Sequence, residues 1–326
     1  MKAIQVHHVG GVEALTLADI PEPAPRPGRV LVRAAALGVN FIDTYHRSGA
    51  YPMPLPFVPG REGAGTVTHV GDGVEGFTVG DRVAWGFAPA SYAEVVSLSP
   101  DDLYRVPADV PLDTAAAAML QGLTAHYLVT SVHRVEPGDT VLVHAAAGGV
   151  GLLLTQMARS RGARVLGTVS TDEKESLASQ AGAEVIRYDR MTDLTAEIPA
   201  AVRALTGGEG VHAVYDGVGR TTFDGSLASL RPRGMMALFG AASGPVPPFD
   251  LQRLNAGGSL MITRPTLGHF VATPQERAWR GSELLGAIAD GSLHVRIGAT
   301  YPLADAGAAH AALEGRQTTG KVLLLP

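Results

Sequence analysis

The segment best suited to chemistry is a glycine-rich turn near the middle of the chain, which reads AAGGVG over residues 146–151. It follows an apolar run typical of a buried strand, residues 140–144, and from Val150 onward apolar side chains recur at helical spacing. A strand, a glycine-rich turn and a helix form a pyrophosphate site, because N–H groups at the helix N-terminus point at the anion and glycine permits its close approach. The usual G-x-G-x-x-G pattern has Ala146 in place of its first glycine, so a strand-to-helix turn without a ligand is the alternative.

The end of the next predicted strand, residues 164–169, indicates which dinucleotide this turn could bind. NAD enzymes place an acid there that accepts a hydrogen bond from the ribose 2′-hydroxyl, whereas this chain continues with Ser170 and a threonine. These hydroxyls and the nearby Lys174 can receive a 2′-phosphate, which a carboxylate would repel. Asp172 and Glu173 stand where first-turn acids and a capping box are expected. The pattern favours a phosphorylated dinucleotide, with Lys174 as an ordinary solvated helix residue the alternative.

The pattern of apolar runs along the chain predicts the strands and helices on either side of these turns. Up to about residue 120, short β-like runs such as residues 30–34, 65–70 and 79–84 alternate with glycine and proline, which favours an all-β or barrel-like domain. Asp72-Gly73 reads as a tight hairpin, because Asp-Gly supplies the positive φ that such turns require. From about residue 123, strand-like runs alternate with helix-length intervals, which is typical of βαβ units and a parallel sheet.

The predicted fold class is therefore α/β, with a β-rich catalytic domain beside a doubly wound parallel sheet. The first domain covers residues 1–122 and the nucleotide-binding domain covers residues 123–262. Residues 263–326 return to the first domain, because the apolar run 321–325 reads as one of its strands.

Composition excludes several other classes of protein. The chain has 326 residues, 46% apolar and 17% charged, which suits two compact domains. Its net charge of -5 includes no block of like charges, so we expect neither a nucleic-acid partner nor an anionic membrane surface, and a small or uncharged ligand is favoured. The absence of cysteine excludes disulfides, a thiol nucleophile, iron–sulfur clusters and cysteine-based zinc sites.

The sequence shows neither a signal-peptide pattern nor a membrane-span pattern. The N-terminal residues lack the long apolar core of a signal peptide, and no stretch reaches the roughly 18 apolar residues that a membrane span requires. We therefore expect no membrane insertion and a cytoplasmic location.

A family resemblance rests on motifs spread along the chain. Residues 38–52, GVNFIDTYHRSGAYP, resemble the hallmark segment of the quinone oxidoreductase (zeta-crystallin-like) family, in the zinc-free part of the medium-chain dehydrogenase/reductase superfamily. Further matching segments follow in the family's order at residues 122–125, 144–151, 167–170, 215–219, 239–240 with 243–245, and 263–265. The resemblance covers essentially the whole chain, and the combination of motifs is highly specific.

The resemblance implies a GroES-like catalytic domain, a Rossmann domain, NADPH as hydride donor, a quinone or other small electrophile as acceptor, and a homodimer. The family's active-site positions are matched by Asn40, Asp43, Tyr45 and Tyr51. Its cofactor-binding positions are matched by Thr124, Ala147, Gly148, Gly149, Val150, Ser170, Lys174, Tyr188, Phe239, Gly240, Ser243, Arg264 and Arg316. Arg264 could instead close an interdomain ion pair, and Asp43 could cap a helix or pair with a cation.

Roles for Asn40 and the two tyrosines follow from their chemistry. Asn40 would orient the acceptor and the nicotinamide by hydrogen bonds. Tyr51 or Tyr45 would donate to the oxyanion that develops on the acceptor, with half-buried packing as the alternative for each tyrosine.

The same resemblance predicts that no metal takes part. Zinc dehydrogenases of the superfamily use a cysteine, a His-Glu pair and a further acidic or thiol ligand, but Arg61 precedes Glu62 where that pair would stand. A guanidinium does not ligate zinc. Because an alcohol then lacks the Lewis acid that would ease its oxidation, reduction of an electrophile is the expected direction.

Two rival functions stay open at this point. An NADPH-dependent reductase of enones or 2-alkenals would use the same cofactor geometry and the same tyrosine donor. A non-catalytic NADPH-binding protein with a structural or RNA-binding role is the alternative from a different class, disfavoured by the acidic balance of the chain.

Overall fold

The computed structural model describes residues 1–326, and the chain divides into two compact units. Unit 1 comprises Met1–Leu123 and Val271–Pro326, and unit 2 comprises Thr124–Phe270. The second boundary lies eight residues beyond the predicted one at 262. Phe270, the last residue of unit 2, stacks on Tyr127 of the same unit, with the two rings parallel at a centroid distance of 4.4 Å.

The chain forms fifteen strands and ten α-helices. The strands, numbered β1 to β15 along the sequence, are Lys2–Gln5, Thr16–Asp19, Val30–Val39, Gly63–Val70, Arg82–Trp85, Val95–Leu98, Tyr104–Arg105, Thr140–Val143, Arg164–Val169, Ala183–Arg187, Val211–Asp216, Leu230–Leu238, Met261–Thr263, Ile297–Pro302 and Lys321–Leu325. The helices, numbered α1 to α10, are Phe41–Ser48, Leu112–Tyr127, Gly149–Ser160, Asp172–Gln180, Leu194–Leu205, Phe223–Ser229, Gln252–Ala256, Leu267–Phe270, Pro274–Ala289 and Ala306–Glu314. The predicted α/β class is confirmed.

Unit 1 is built on a seven-stranded sheet in the order β14-β15-β3-β4-β5-β7, with β6 paired to β3. Its core is made of apolar side chains that alternate along the strands, among them Val30, Val32 and Trp85. β15 lies antiparallel to β3, with Val322 opposite Val39, so the last strand does return to this sheet as predicted. The same register brings the residue before Val322 beside the residue after Val39.

The predicted hairpin at Asp72-Gly73 is wrong in extent. Gly73 does adopt a left-handed φ of 77°, and the N–H of Val74 donates to Gly71 at 3.2 Å. However, residues 71–81 all separate β4 from β5, because further turns at Gly76 and Gly80 delay the strand until Arg82.

Unit 2 contains a six-stranded sheet in the order β10-β9-β8-β11-β12-β13, and every neighbouring pair is parallel. Counted within the unit, this order is 3-2-1-4-5-6, so the direction of winding reverses between β8 and β11. Ligands of such sheets bind at the carboxyl ends of the strands on either side of that reversal. Buried side chains such as Leu142, Leu166 and Val214 fill the core below this edge.

The length and apolar character of the helices bear on membrane insertion. None of them has both the length and the apolar character needed to cross a bilayer.

Candidate active site

The glycine-rich turn forms the predicted strand-turn-helix arrangement at the end of β8. Gly148 caps α3 in an extended conformation, and the N–H of Leu152 donates to the Gly148 carbonyl at 2.9 Å. A Cβ at Gly151 would lie 2.3 Å from the Ala145 carbonyl oxygen, so glycine is required there for the helix to pack on the turn. The first N–H groups of a helix have no carbonyl of their own helix to donate to. The predicted contacts Ala147, Gly148, Gly149 and Val150 therefore surround donors that suit a pyrophosphate.

The second predicted anion position lies at the neighbouring strand end. β9 ends at Val169, and the Oγ1 of Thr171 caps α4 by accepting a hydrogen bond from the Lys174 N–H at 3.2 Å. β10 lies beside β9, and its last residue is followed directly by Tyr188. Ser170, Lys174 and Tyr188 therefore follow the carboxyl ends of two adjacent strands, where the adenosine ribose of a dinucleotide binds.

A third group of predicted contacts lies in the loops after β11 and β12. A Cβ at Gly240 would lie 2.4 Å from the Gly217 carbonyl oxygen, so glycine is required where these two loops touch. A Cβ at Gly217 would in turn lie 2.9 Å from the Phe239 ring. The Ser243 hydroxyl donates to the Val218 carbonyl at 2.8 Å, which ties the two loops together.

Below these loops lies a buried polar network that was not predicted from the sequence. His144 contacts the Thr168 hydroxyl through Nδ1 and the Ser226 hydroxyl through Nε2, both at 2.9 Å. Ser226 also donates to Oδ2 of Asp216 at 2.7 Å, and Oδ1 of Asp216 accepts from the Gly219 N–H at 3.0 Å. Because the serine hydroxyl donates directly to the aspartate, the cluster is not a nucleophilic triad, and its effect is to hold the loop after β11.

The remaining predicted cofactor residues are spread over both units. Thr124 is buried in α2, and Arg264 donates from Nη1 to the Leu238 carbonyl at 3.1 Å, a contact within unit 2. Arg316 follows α10 in unit 1 and has a left-handed φ of 57°.

In unit 1, Asn40 is the centre of a buried charged cluster at the end of β3. Its Nδ2 donates to Oε2 of Glu62 at 2.9 Å, and its Oδ1 accepts from the Lys321 ammonium at 2.8 Å. The same ammonium forms an ion pair with Glu62, whose other oxygen accepts from the Leu120 N–H at 2.6 Å. Lys321 is 1% exposed and Glu62 0%, so this pair is removed from water. The orientation of the Asn40 amide is therefore set by two charged neighbours.

Asp43 lies one helical turn further on and caps α1. Its Oδ2 accepts from the Asn40 N–H at 2.9 Å and from the Tyr92 hydroxyl at 3.0 Å, whereas its Oδ1 has no hydrogen-bond partner. Because Asp43 is completely buried, it positions Asn40 and has no exposed face for an acceptor.

A series of hydrogen-bonded side chains leads from Asp43 through Tyr92, His310 and Arg47 to the surface. Arg47 contacts Nδ1 of His310 at 3.2 Å, and Nε2 of His310 contacts the Tyr92 oxygen at 3.1 Å. Burial, together with the Arg47 charge, lowers the pKa of His310 to about 3. The imidazole is therefore neutral, and since Arg47 can only donate, Nε2 carries the proton and donates to Tyr92. Arg47 also forms a two-point ion pair with the partly exposed Glu314 at 3.0 and 2.8 Å.

The two predicted tyrosine donors lie next to each other. Their ring centroids are 5.2 Å apart, and the Tyr51 N–H donates to the Tyr45 carbonyl at 3.0 Å. Tyr45 is half-buried on α1, whereas 43% of Tyr51 is exposed. The ring of His46 lies 6.2 Å from that of Tyr51, and burial lowers the pKa of His46 to about 4, with Arg61 acting in the same direction. His46 is therefore neutral at pH 7 and offers no positive charge to either phenol.

Arg61 is half-buried at the start of β4, with its guanidinium 5.2 Å from the centre of the Phe87 ring. Burial lowers the pKa of Arg61, but the group is still a cation at neutral pH. Arg61 is thus a cation at the position predicted to correspond to the histidine of a zinc-binding His-Glu pair.

Replacement of Asp43 by asparagine is expected to change how stability depends on pH. Burial raises the pKa of Asp43 to about 7 from an ordinary value of 3.8, against the opposing effect of its hydrogen bonds from Asn40 and Tyr92. The folded chain therefore binds more protons than the unfolded chain between those values, so the contribution of Asp43 to the free energy of unfolding falls as pH rises through this range. Asparagine keeps an oxygen acceptor but does not titrate.

The measurement is urea unfolding of both proteins at several pH values. The difference in free energy of unfolding, Asp43→Asn minus wild type, should grow from about pH 4 to about pH 7. His310 has a lowered pKa and acts in the opposite direction, but its contribution is common to both proteins. A difference that stays constant with pH would show that Asp43 is charged in the folded chain.

Comparison with known proteins agrees with these two units. The alcohol dehydrogenase GroES-like domain family matches residues 26–137, and the zinc-binding dehydrogenase family matches residues 149–280. These matches confirm the predicted GroES-like and Rossmann domains.

Three individual proteins show how far the similarity extends. A quinone oxidoreductase of Pseudomonas aeruginosa is 44% identical over 328 residues, which cover 100% of this chain and 99% of that protein. A 2-haloacrylate reductase of a Burkholderia species is 43% identical and covers 99% of this chain and 98% of its own length. The solved structure of a mycobacterial protein complexed with NADPH is 54% identical, covers 100% of both chains and has a TM-score of 0.97.

Proposed function

Because the chain belongs to the quinone oxidoreductase family of the medium-chain dehydrogenases and reductases, we propose that it reduces a quinone with NADPH and without a metal ion. The observation that carries the proposal is the edge of unit 2 where Ser170, Lys174 and Tyr188 follow the ends of β9 and β10, beside the glycine-rich turn. A 2′-phosphate and a pyrophosphate require such hydroxyl, ammonium and N–H donors. The structure of the mycobacterial relative with NADPH supports the same cofactor.

Bound NADPH would supply a hydride to the acceptor, and a proton from the protein or from water would complete the hydroquinone. Hydride transfer needs the donor and acceptor carbons about 3 to 3.5 Å apart, with bulk water excluded. Tyr51 or Tyr45 would donate to the acceptor oxygen as negative charge develops there. Tyr45 lies on α1, whose start is capped by Asp43, and Tyr51 follows the end of that helix and donates its N–H to the Tyr45 carbonyl.

Asn40 would act on bound ligands from a fixed orientation. Its Nδ2 donates to Glu62 and to the Gly38 carbonyl and its Oδ1 accepts from Lys321, and an amide oxygen has a second lone pair that can accept from a bound ligand.

The metal-free part of the proposal rests on residue types. Arg61 cannot ligate zinc, and the chain has no cysteine to complete a thiolate site. A quinone needs no Lewis acid, because it accepts hydride readily. Added zinc or a chelator should therefore leave turnover unchanged.

The test of the function is a panel of acceptors with NADPH oxidation followed by absorbance. We expect turnover of 1,4-benzoquinone and 9,10-phenanthrenequinone to exceed that of enones and 2-alkenals. Faster turnover of the alkenes would instead support the alkene-reductase alternative, for which the Burkholderia relative is a precedent. No turnover with any acceptor would support a non-catalytic role.

Replacement of Lys174 by alanine tests the cofactor assignment. A hydrogen bond between charged groups contributes enough that its loss should raise the KM for NADPH by about 10- to 100-fold, with little change for NADH, which lacks the 2′-phosphate. Steady-state kinetics with both cofactors measure this. Lys2→Ala is the matched control, since Lys2 forms only an exposed ion pair with Asp19. Equal effects on the two cofactors would remove Lys174 from the 2′-phosphate site.

We also propose that the protein is a cytoplasmic homodimer. Support for an association through unit 2 comes from β13, an edge strand that carries the exposed Met261. Light scattering of the purified protein measures the oligomeric state.

A further inference from the structure

We propose that Arg187 is a specificity-determining residue for the phosphorylated cofactor, because it neutralises carboxylates that would otherwise repel the 2′-phosphate. The inference rests on the proposed use of NADPH. It also explains how Asp172 and Glu175 of α4 can lie near the proposed phosphate position, since unpaired carboxylates there would repel the phosphate.

The register of the sheet places Arg187 at the cofactor edge. Arg187 is the last residue of β10 and pairs with Val169, the last residue of β9. The residues that follow these two positions are Tyr188 and Ser170, both assigned to the 2′-phosphate. The side chain of Arg187 thus begins at one of the two strand ends that would hold the adenosine ribose.

Arg187 forms ion pairs with three carboxylates. Its Nη1 donates to Asp172 at 2.5 Å and to Glu175 at 2.7 Å, and its Nε and Nη2 both donate to Asp189 at 2.8 Å. Four of the five N–H groups of the guanidinium therefore face carboxylates. These contacts, with Asp189 first, raise the pKa of Arg187 further above its usual range, so the group is always a cation.

The four side chains differ in how far they are exposed to solvent. The side chain of Arg187 is 11% exposed, whereas those of Asp172, Glu175 and Asp189 are 91%, 44% and 33% exposed. The guanidinium lies beneath the carboxylates and its charge offsets theirs. Without Arg187, these three negative charges would lie near the position assigned to a dianionic phosphate without the cation that pairs with all of them.

The expected size of the effect is moderate because the carboxylates are exposed. Unit charges several ångströms apart near the surface interact weakly through water and are screened by salt. Three such charges acting on a phosphate should together change NADPH affinity by about tenfold at low ionic strength.

The experiment measures the binding of nucleotides by calorimetry with the full-length protein, so that it does not depend on turnover. Arg187→Met is compared with wild type for four ligands: NADPH, NADH, adenosine 2′,5′-bisphosphate and 5′-AMP. We expect about tenfold weaker binding of the two 2′-phosphorylated ligands, and little change for the other two. Arg187→Lys should recover part of the loss, and the triple variant R187M/D172N/E175Q should recover most of it.

The matched control is Arg164→Met. Arg164 also forms a two-point ion pair across β9 and β10, with Glu184 at 2.7 and 2.6 Å, but at the opposite ends of the strands. Arg164→Met should leave the affinities for all four nucleotides unchanged. If Arg187→Met weakened phosphorylated and unphosphorylated ligands equally, its role would be structural and the inference would be wrong.

The outcomes separate this inference from the proposed function. A wild-type protein that binds 2′-phosphorylated ligands more tightly, with the same ratio in Arg187→Met, would overturn the inference alone. A wild-type protein with no preference for the 2′-phosphate would overturn the NADPH assignment and the inference together.

Discussion

Replacement of Lys321 by methionine should lower the free energy of unfolding by about 3 to 5 kcal/mol, because it leaves the Glu62 carboxylate charged and buried without its counter-ion. Glu62 would keep only the Leu120 N–H and the Asn40 amide as donors. The measurement is urea unfolding followed by tryptophan fluorescence. Both tryptophans of the chain, Trp85 and Trp279, lie in unit 1, so the signal reports on the unit that contains the cluster.

The matched control is the double variant E62Q/K321M. It removes both charges, so it should recover a large part of the stability lost in the single variant. If the single and double variants were equally unstable, the loss would come from packing of the lysine stem and not from the unpaired charge. Wild-type stability in the single variant would show that the ion pair contributes nothing.

Replacement of Tyr51 by phenylalanine should lower kcat for a quinone by about 10²-fold, the lower end of what a positioned acid contributes. Solvent near the exposed Tyr51 can deliver part of the proton, which is why we expect the lower end. The affinity for NADPH should not change, because the hydroxyl is assigned to the acceptor. Steady-state kinetics measure kcat, single-turnover kinetics measure the chemical step, and a separate NADPH titration measures the affinity.

Tyr45→Phe is the second variant to measure, because the ring of Tyr45 lies next to that of Tyr51. A fall in kcat in that variant alone would identify Tyr45 as the donor. Unchanged turnover in both single variants and in the double variant would remove the phenols from the mechanism.

The parallel sheet was predictable because its strands are buried on both faces and read as continuous apolar runs. β8, the glycine turn and α3 therefore stand out in the sequence, and Gly162 follows α3 with the left-handed φ of 86° expected after a helix end. The first unit was harder to predict. Val79 looks like the start of a strand, but glycine turns on either side keep it out of the sheet, and it is 67% exposed.

The charged cluster could not be predicted, because its members come together only through the pairing of β3 with β15. Asn40 and Lys321 lie 281 residues apart in sequence. One signal was present: a lysine that opens the apolar run 321–325 needs an acid if that strand is central, and Glu62 directly precedes β4. Arg187 is similar: of its three partners only Asp172 stands out in the sequence, as an acid in the first turn of α4, and the pairing of β9 with β10 that brings Arg187 to it is not evident from the sequence.

The position of β15 between β14 and β3 has a consequence for synthesis. Unit 2 is one continuous stretch, so it can fold as soon as Thr124–Phe270 has left the ribosome. Unit 1 must wait through that entire interval with the edge of β3 uncovered and Glu62 without its lysine. During translation the earlier half of the molecule is thus the last to mature, and it is the half for which a chaperone would matter most.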